Sequence, residues 1–242
     1  MFIYKRLISL KNKYVSDYDL FGRQIIRKWI SEYNWNHNPN ILDLGCGQGD
    51  DLASFREFYP SSHAVGIDIQ GIDSPELKVD NIERRSVNLE STALPFSDST
   101  FDILIANQVF EHLKNWAYVL MESTRVLKPN GILIIGVPNL ASLHNRVLLC
   151  AGRQPTCIRT GSMHVRGFTL HGLREVLEHA EIFRIRSVAG LGFYPFPARI
   201  ARSLSSIFPS AAATLYVECV KIGDHRDFQS IEAIDRIAEM SL

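Results

Sequence analysis

Short apolar runs recur along the chain and alternate with longer segments in which apolar residues have helical spacing. The runs lie at 41–42, 64–69, 101–106, 132–137, 183–188 and 214–220. Runs of this length and composition are typical of buried strands. Helices are predicted at 21–30, 140–151 and 170–180, the last with Thr169 as its cap. The alternation of the two kinds of segment predicts an α/β fold.

The first strand leads directly into a glycine-rich turn. Asp43 follows Ile41 and Leu42, and glycines then occupy positions 45, 47 and 49. Glycines let the backbone turn sharply and approach a ligand where a Cβ would obstruct it. A helix is expected to begin near Asp50 or Asp51. A strand, a glycine turn and a helix N-terminus together form the nucleotide-handling corner of a doubly wound sheet.

The glycine spacing indicates which kind of ligand the turn accepts. Dinucleotide sites use G-x-G-x-x-G, and here the third glycine of that pattern would fall on Asp50. A carboxylate at the start of the helix repels a diphosphate. Asp43 adds a second carboxylate, so a cationic ligand suits the turn better. The alternative is a tight turn that binds nothing.

The D-x-G-x-G-x-G pattern formed by Asp43, Gly45, Gly47 and Gly49 resembles motif I of the class I S-adenosylmethionine-dependent methyltransferases. The resemblance extends over 41–139. It implies a Rossmann-like sheet of seven strands with the last strand antiparallel. It also implies S-adenosyl-L-methionine as the cofactor, bound by the four motif residues.

The resemblance implies further contacts to the cofactor. Asp68, about 20 residues beyond the glycines, would accept hydrogen bonds from the ribose hydroxyls. Ile69 would pack on the adenine. The segment 87–90 resembles the third strand and loop of the family, where Asn88, Leu89 and Glu90 would surround the adenine. The choice between Asn88 and Glu90 for the adenine amino group stays open.

The segment after the fourth predicted strand would lie beside the reacting methyl group. Asn107 is expected at the cofactor, and His112 is the first candidate for a general base because an imidazole titrates near neutral pH. Glu111 would orient His112 or contact the substrate. The alternative is that His112 only shapes the pocket. Nothing in the sequence requires a metal.

Substrate residues are expected after the fifth strand. His144 lies on a predicted helix, and Arg153, Arg159, His164 and Arg166 fall within the loop 152–166. These cationic or titratable side chains could clamp a phosphate or carboxylate. An ordinary solvated loop is the alternative.

The segment 191–210 is apolar and aromatic, and its only charged residues are Arg199 and Arg202. It could form a pocket wall that includes Tyr194, receive the lipid end of a substrate, or lie on a membrane surface. The alternative is an additional helix packed on the body of the protein.

Composition limits the function classes. The chain has 242 residues, of which 46% are hydrophobic and 21% charged, with a formal net charge of +0. The length is consistent with one α/β core with additions. Balanced charge argues against nonspecific nucleic-acid binding. The four cysteines show neither zinc-site nor disulfide spacing, and no apolar run is long enough for a signal peptide or membrane span. A cytoplasmic protein is therefore expected.

Three units and one activity are predicted. The units are a helical cap at 1–40, a methyltransferase domain at 41–222 with a substrate lid at about 140–210, and a tail helix at 223–242. Segments 138–146 and 164–169 resemble methyltransferases of bacterial glycan biosynthesis, which implies O-methylation of a sugar carried on a nucleotide or lipid diphosphate. The alternatives are a quinone, polyketide or other secondary-metabolite acceptor, and a non-catalytic cofactor-binding regulator. The protein is expected to be a monomer or a homodimer.

Overall fold

The computed structural model describes residues 22–69, 82–179 and 181–224. Seven strands form one sheet. They are β1 (Ile41–Leu44), β2 (Ala64–Asp68), β3 (Ile82–Ser86), β4 (Phe101–Asn107), β5 (Leu127–Pro138), β6 (Phe183–Leu191) and β7 (Thr214–Lys221). The described helices are α1 (Arg23–Ser31), α2 (Asp50–Phe58), α3 (Trp116–Val126), α4 (Leu143–Cys150), α5 (Leu170–His179) and α6 (Ala198–Ile207). Short 3₁₀ turns occupy Phe110–His112, Thr156–Ile158 and Pro209–Ala211.

The strand order in the sheet is β3-β2-β1-β4-β5-β7-β6. The first five strands are parallel to one another, and β7 runs antiparallel to both β5 and β6. The predicted seven-stranded sheet with an antiparallel last strand is therefore confirmed. The order reverses between β1 and β4, and the carboxyl ends of strands at such a reversal form a crevice where ligands bind.

Both faces of the central strands are buried. Leu42 of β1 and Leu104 of β4 belong to the core on one face, while Ile41 and Ile103 belong to the core on the other. Helix α1 packs on the second of these faces through its apolar stripe, which includes Ile26. Burial on both faces explains why these strands read as continuous apolar runs in the sequence.

Two predicted strand positions are wrong. The third strand was expected at 87–90, but β3 ends at Ser86 and Val87 follows it. This strand is at the edge of the sheet, half exposed and charged, so its sequence lacks the apolar signal of a central strand. The fifth strand was expected to begin at Ile132 after a turn, but β5 begins at Leu127, directly after α3.

The additions to the sheet also differ in detail from the prediction. Helix α4 begins at Leu143 instead of residue 140, because Asn139 Oδ1 accepts a hydrogen bond from the Ala141 N–H at 2.9 Å and holds a turn there. Thr169 caps α5 as predicted, since its Oγ1 accepts from the Gly172 N–H at 3.0 Å. Within the range predicted as a lid, β6 is a strand of the central sheet.

Two predicted segments lie largely outside the described residues. These are the first 21 residues of the expected N-terminal cap and the expected tail helix beyond residue 224. The helices that are described are all too short or too polar to cross a lipid bilayer.

Candidate functional site

The glycine turn between β1 and α2 has a backbone that side chains would disturb. Gly45 and Gly49 have φ angles of 64° and 82°, in the left-handed region. A Cβ on Gly45 would lie 2.6 Å from a methyl carbon of Val109. At Gly47, by contrast, no described residue other than its two chain neighbours has an atom within 4 Å of the position that a Cβ would take. The turn is thus packed at Gly45 against Val109, which follows β4, and is open to a ligand at Gly47.

Three carboxylates converge beneath this turn. Asp43 is the third residue of β1 and is only 2% exposed, Asp51 lies in the first turn of α2 and is also buried, and Asp68 ends β2. Burial raises the pKa of Asp43 well above its usual value, and the carboxylates of Asp51 and Asp68 raise it further. Arg84 acts in the opposite direction. A cationic group bound here would relieve the repulsion among these acids.

Hydrogen bonds join the acids to the ends of neighbouring strands. Asp68 Oδ2 accepts from the Gly47 N–H at 2.9 Å. Asn107, at the end of β4, donates from Nδ2 to Asp51 Oδ2 at 2.9 Å. The predicted cofactor residues Asp43, Asp68 and Asn107 therefore surround one turn, as expected from strand ends meeting at one edge.

Arg84 is a site residue that the sequence analysis missed. It lies on β3 and donates from Nη2 to the Gly47 carbonyl at 3.0 Å. Asp50, the acid that argued against a diphosphate, is paired with Arg23 of α1, so the acid buried beneath the turn is Asp51. Neither pairing has a sequence signal, since each depends on the position of a separate element.

The residues expected around the adenine lie beyond β2 and β3. Ile69 is 63% exposed, and Leu89 is buried. The Glu90 carboxylate accepts hydrogen bonds from the backbone N–H groups that precede α3, at 2.5 Å from Lys114 and 3.3 Å from Asn115. Asn88 is exposed, and its Oδ1 accepts from the Glu90 N–H at 3.0 Å. Because Glu90 already holds the start of α3, Asn88 is the better placed of the two for a ligand.

Glu111 lies in the 3₁₀ turn after β4. It is 1% exposed, and neither carboxylate oxygen has a hydrogen-bond partner among the described residues. Burial raises the pKa of Glu111 to about 7. His112, the predicted base, is half-buried, and its Nδ1 lies 3.3 Å from the Met163 carbonyl oxygen.

The loop 152–166 folds back onto this turn. The Val165 N–H donates to the Glu111 carbonyl at 2.8 Å. This contact brings His164 beside His112, with ring centroids 4.7 Å apart in an edge-to-face arrangement. The Arg166 guanidinium lies over the Trp116 ring, 5.6 Å from its centroid, and its buried Nε has no hydrogen-bond partner among the described residues. Two predicted substrate residues therefore join the two predicted catalytic ones.

The remaining predicted substrate residues form a second group around His144. Its Nε2 lies 2.8 Å from Thr156 Oγ1, and its ring meets that of Tyr194 at 5.6 Å. Burial lowers the pKa of His144, and the positive charge of Arg159 lowers it further. Cys157 links the two groups, because its carbonyl oxygen lies 2.6 Å from His164 Nδ1 and its turn begins at Thr156.

The aromatic segment 191–210 contains helix α6, which corresponds to the alternative of an additional packed helix. Phe193 is 5% exposed and packs with Ala201 of α6 and Ala212. Tyr194 is 65% exposed, and Ile200 on the helix is exposed as well. This segment therefore buries part of its apolar surface in a small core of its own and leaves part of it exposed.

The central part of the chain is similar to known methyltransferases. Residues 42–135 match the model of a methyltransferase domain family. A Mycobacterium tuberculosis protein named as a probable S-adenosylmethionine-dependent methyltransferase is 26% identical over 220 residues, which cover 82% of this chain and 75% of that protein. An uncharacterized methyltransferase of Schizosaccharomyces pombe is 36% identical over 102 residues, which cover 38% of this chain and 37% of that protein.

Solved structures share the fold. A 1,6-didemethyltoxoflavin-N1-methyltransferase of Burkholderia thailandensis, determined with 1,6-didemethyltoxoflavin and S-adenosylhomocysteine bound, gives a TM-score of 0.57 at 16% identity. The match covers 91% of this chain and 90% of that one. This chain spans about a third of the length of two of the curated relatives that it matches, 31% and 37%.

Proposed function

We propose that the chain is a class I S-adenosylmethionine-dependent methyltransferase and that it transfers a methyl group from S-adenosyl-L-methionine to a hydroxyl group of a small polar acceptor. The observation that carries the proposal is the convergence of Asp43, Asp51 and Asp68 beneath an open glycine turn. Three acids at one turn favour a cationic ligand and disfavour a diphosphate.

The residues of the turn fit the cofactor. Asp43 and the backbone at Gly45, Gly47 and Gly49 would hold its methionine part, where the amino group is the cation that the acids favour. Asp68 would bind the ribose hydroxyls, as carboxylates at the end of the second strand do in related folds. Ile69 and Asn88 would contact the adenine, and Asn107 fixes Asp51 in place. When bound, S-adenosyl-L-methionine supplies an activated methyl group for in-line displacement.

The protein's own contribution to the reaction is alignment of the acceptor with the methyl group. Holding two reactants in position accounts for a large part of the rate of such displacements. The turn that carries Glu111 and His112 follows Val109, which packs against Gly45, so it lies next to the cofactor turn. Carbonyl oxygens only accept hydrogen bonds, so His112 donates from Nδ1 to Met163, and the neutral form of the ring has its lone pair on Nε2.

The acceptor is proposed to be an anionic sugar derivative. Arg153 and Arg159 are exposed and form no ion pair with any residue in the described ranges. Arg166 keeps a buried N–H without a protein partner there. Unpaired guanidinium groups suit phosphate or carboxylate oxygens. A sugar on a nucleotide or lipid diphosphate offers both the anion and the hydroxyl group.

The two alternatives have less support. A dry pocket for a quinone or polyketide would be lined by Phe193, Tyr194 and Phe196. Tyr194 and Phe196 are exposed, but Phe193 is buried against Ala201 and Ala212. A non-catalytic regulator would need the cofactor turn but not the buried Glu111 beside two histidines. A buried carboxylate without a partner among the described residues costs stability, and a catalytic or ligand-binding role accounts for that cost.

The test is transfer of label from methyl-labelled S-adenosyl-L-methionine into native extract separated into soluble metabolites, lipid-linked glycans and protein. Label is expected in one of the two sugar-containing fractions, and Asp68→Ala should reduce it at least tenfold. Label in an uncharged, non-glycan metabolite would support the quinone or polyketide alternative. Cofactor binding without label in any fraction would support the regulator.

A further inference from the structure

We propose that Glu111, His112 and His164 bind a divalent transition-metal ion through one carboxylate oxygen and one imidazole nitrogen from each histidine. One ligand atom of each residue lies within 4.8 Å of the others. Ligand atoms around a single ion at about 2.1 Å are separated by roughly 3–4 Å. Side-chain rotations that shift the ligand atoms by about 1 Å are therefore enough for all three to bind one ion.

The hydrogen bonds of both histidines suit metal binding. His164 Nδ1 lies 2.6 Å from the Cys157 carbonyl oxygen, and His112 Nδ1 lies 3.3 Å from that of Met163. A carbonyl oxygen cannot donate, so each Nδ1 carries a proton, and the neutral form of each ring has its lone pair on Nε2. Histidines that bind metals usually have their second nitrogen held in this way by a carbonyl or carboxylate.

The surroundings of Glu111 are independent evidence for a ligand site. Its side chain is almost completely buried, and both oxygens lack a hydrogen-bond donor within the part of the chain that is described. No ion pair to it is found there either. Arg166 donates a backbone N–H to the Glu111 carbonyl at 3.3 Å, yet its guanidinium turns to the Trp116 ring. Buried carboxylates are normally paired or bound to metals.

The loop holds the three residues together before any ion binds. The Val165 N–H bonds to the Glu111 carbonyl at 2.8 Å, and the His164 N–H bonds to Ser162 Oγ at 3.1 Å. These contacts fix the backbone on both sides of His164. The site therefore consists of one 3₁₀ turn and one anchored loop, and little chain entropy remains to be lost on binding.

Two nitrogen ligands and one carboxylate favour Zn²⁺, Fe²⁺, Mn²⁺ or Co²⁺ over Ca²⁺ and Mg²⁺, which prefer oxygen ligands. Three protein ligands leave coordination positions open for water or an acceptor.

The role of the ion in catalysis rests on the proposed function. An acceptor hydroxyl that coordinates the ion has a lowered pKa and gives its proton to solvent water. Its oxygen then forms the bond to the methyl carbon, and the carbon–sulfur bond breaks with its electron pair remaining on sulfur.

The direct test is metal binding by the chelator-treated protein. Zn²⁺ is titrated by calorimetry and Co²⁺ by visible absorption, which reports its ligands. One ion per chain is expected. The variants Glu111→Gln, His112→Gln and His164→Gln should each weaken binding at least tenfold, whereas His171→Gln, which removes an exposed histidine on α5, should not change it.

Absence of stoichiometric binding to the wild type, or equal affinity in the three variants, would overturn the proposal. Glu111→Gln preserves the shape of the buried side chain, so a loss of binding in that variant is not a packing effect. Thermal melts of all variants identify any that fail to fold.

Cofactor titration of the same metal-free samples separates this proposal from the proposed function. Metal binding that depends on the three residues, without binding of S-adenosyl-L-methionine, supports the metal site and contradicts the methyltransferase activity. Full methyl transfer by metal-free protein that binds neither Zn²⁺ nor Co²⁺ contradicts the metal site alone.

Discussion

Asp43 is buried beside Asp51, and the charge of the second carboxylate adds to burial in raising the pKa of the first. The ligand-free protein therefore has a destabilising group at the centre of its cofactor turn. A cationic ligand that binds there offsets the cost of this group. Asp43 thereby links the stability of the protein to its ligand.

The first prediction concerns Asp43→Asn. The folded pKa is above the unfolded value, so the folded state holds more protons and stability falls as pH rises from about 4 toward the folded pKa. Asparagine carries no charge, so the variant should be more stable than the wild type at pH 7 by on the order of 1 kcal/mol, or about 2–4 °C. Its affinity for S-adenosyl-L-methionine should fall.

Thermal melts between pH 4 and 8, with and without cofactor, measure both effects. The advantage of the variant should grow with pH and then level off. A variant less stable than the wild type at pH 7 would show that the acids do not repel one another in the folded protein.

The second prediction compares two glycines of the turn. Gly45→Ala combines a left-handed φ with a clash against Val109, so it should cost about 2–3 kcal/mol. Gly47→Ala has open space for its methyl group and should cost only about 1 kcal/mol. Because that space is where the ligand would lie, Gly47→Ala should still weaken cofactor binding at least tenfold. Urea unfolding and cofactor calorimetry give the two quantities, and equal stability losses would contradict the described turn.

The third prediction separates Asn88 from Glu90. Glu90→Ala removes the acceptor for two backbone N–H groups before α3 and should cost about 1 kcal/mol of stability, as loss of a helix cap does. Asn88→Ala should leave stability nearly unchanged and weaken cofactor binding several-fold. The reverse assignment would be indicated if Glu90→Ala, at unchanged stability, lost affinity for the cofactor.

The fourth prediction concerns acceptor charge. Arg159→Ala and Arg166→Ala should raise the KM for an anionic acceptor about tenfold or more, since each removes charge-assisted hydrogen bonds. Arg174→Ala, which removes a cation paired with Glu178 on the outer surface of α5, is the matched control and should have no effect. Steady-state kinetics with a charged acceptor and its uncharged analogue measure the difference. An equal effect of all three substitutions would exclude a specific anion site.

Most of the sheet and the glycine turn could be predicted from the sequence, because buried parallel strands read as continuous apolar runs and glycines mark the turn. The third strand could not be placed, since an edge strand carrying Glu83, Arg84 and Arg85 resembles a solvated loop. The contact of Arg84 with the turn could not be predicted for the same reason, because Arg84 lies on this strand.

The meeting of His112 with His164 could not be predicted either. Each residue was recognised separately, as a base and as a substrate contact. Their proximity depends on the path of the loop 152–166 and on the Val165 hydrogen bond to Glu111, which no local pattern encodes. The sequence therefore contained the residues of the site without the contacts that combine them.

The central claim is that the acidic glycine turn binds S-adenosyl-L-methionine, and calorimetric titration of the purified protein tests it most directly. S-adenosyl-L-methionine should bind with one site per chain, Asp68→Ala should weaken that binding at least tenfold, and NADH should not compete. Tighter binding of NADH than of S-adenosyl-L-methionine, or cofactor affinity unchanged by Asp68→Ala, would contradict the account.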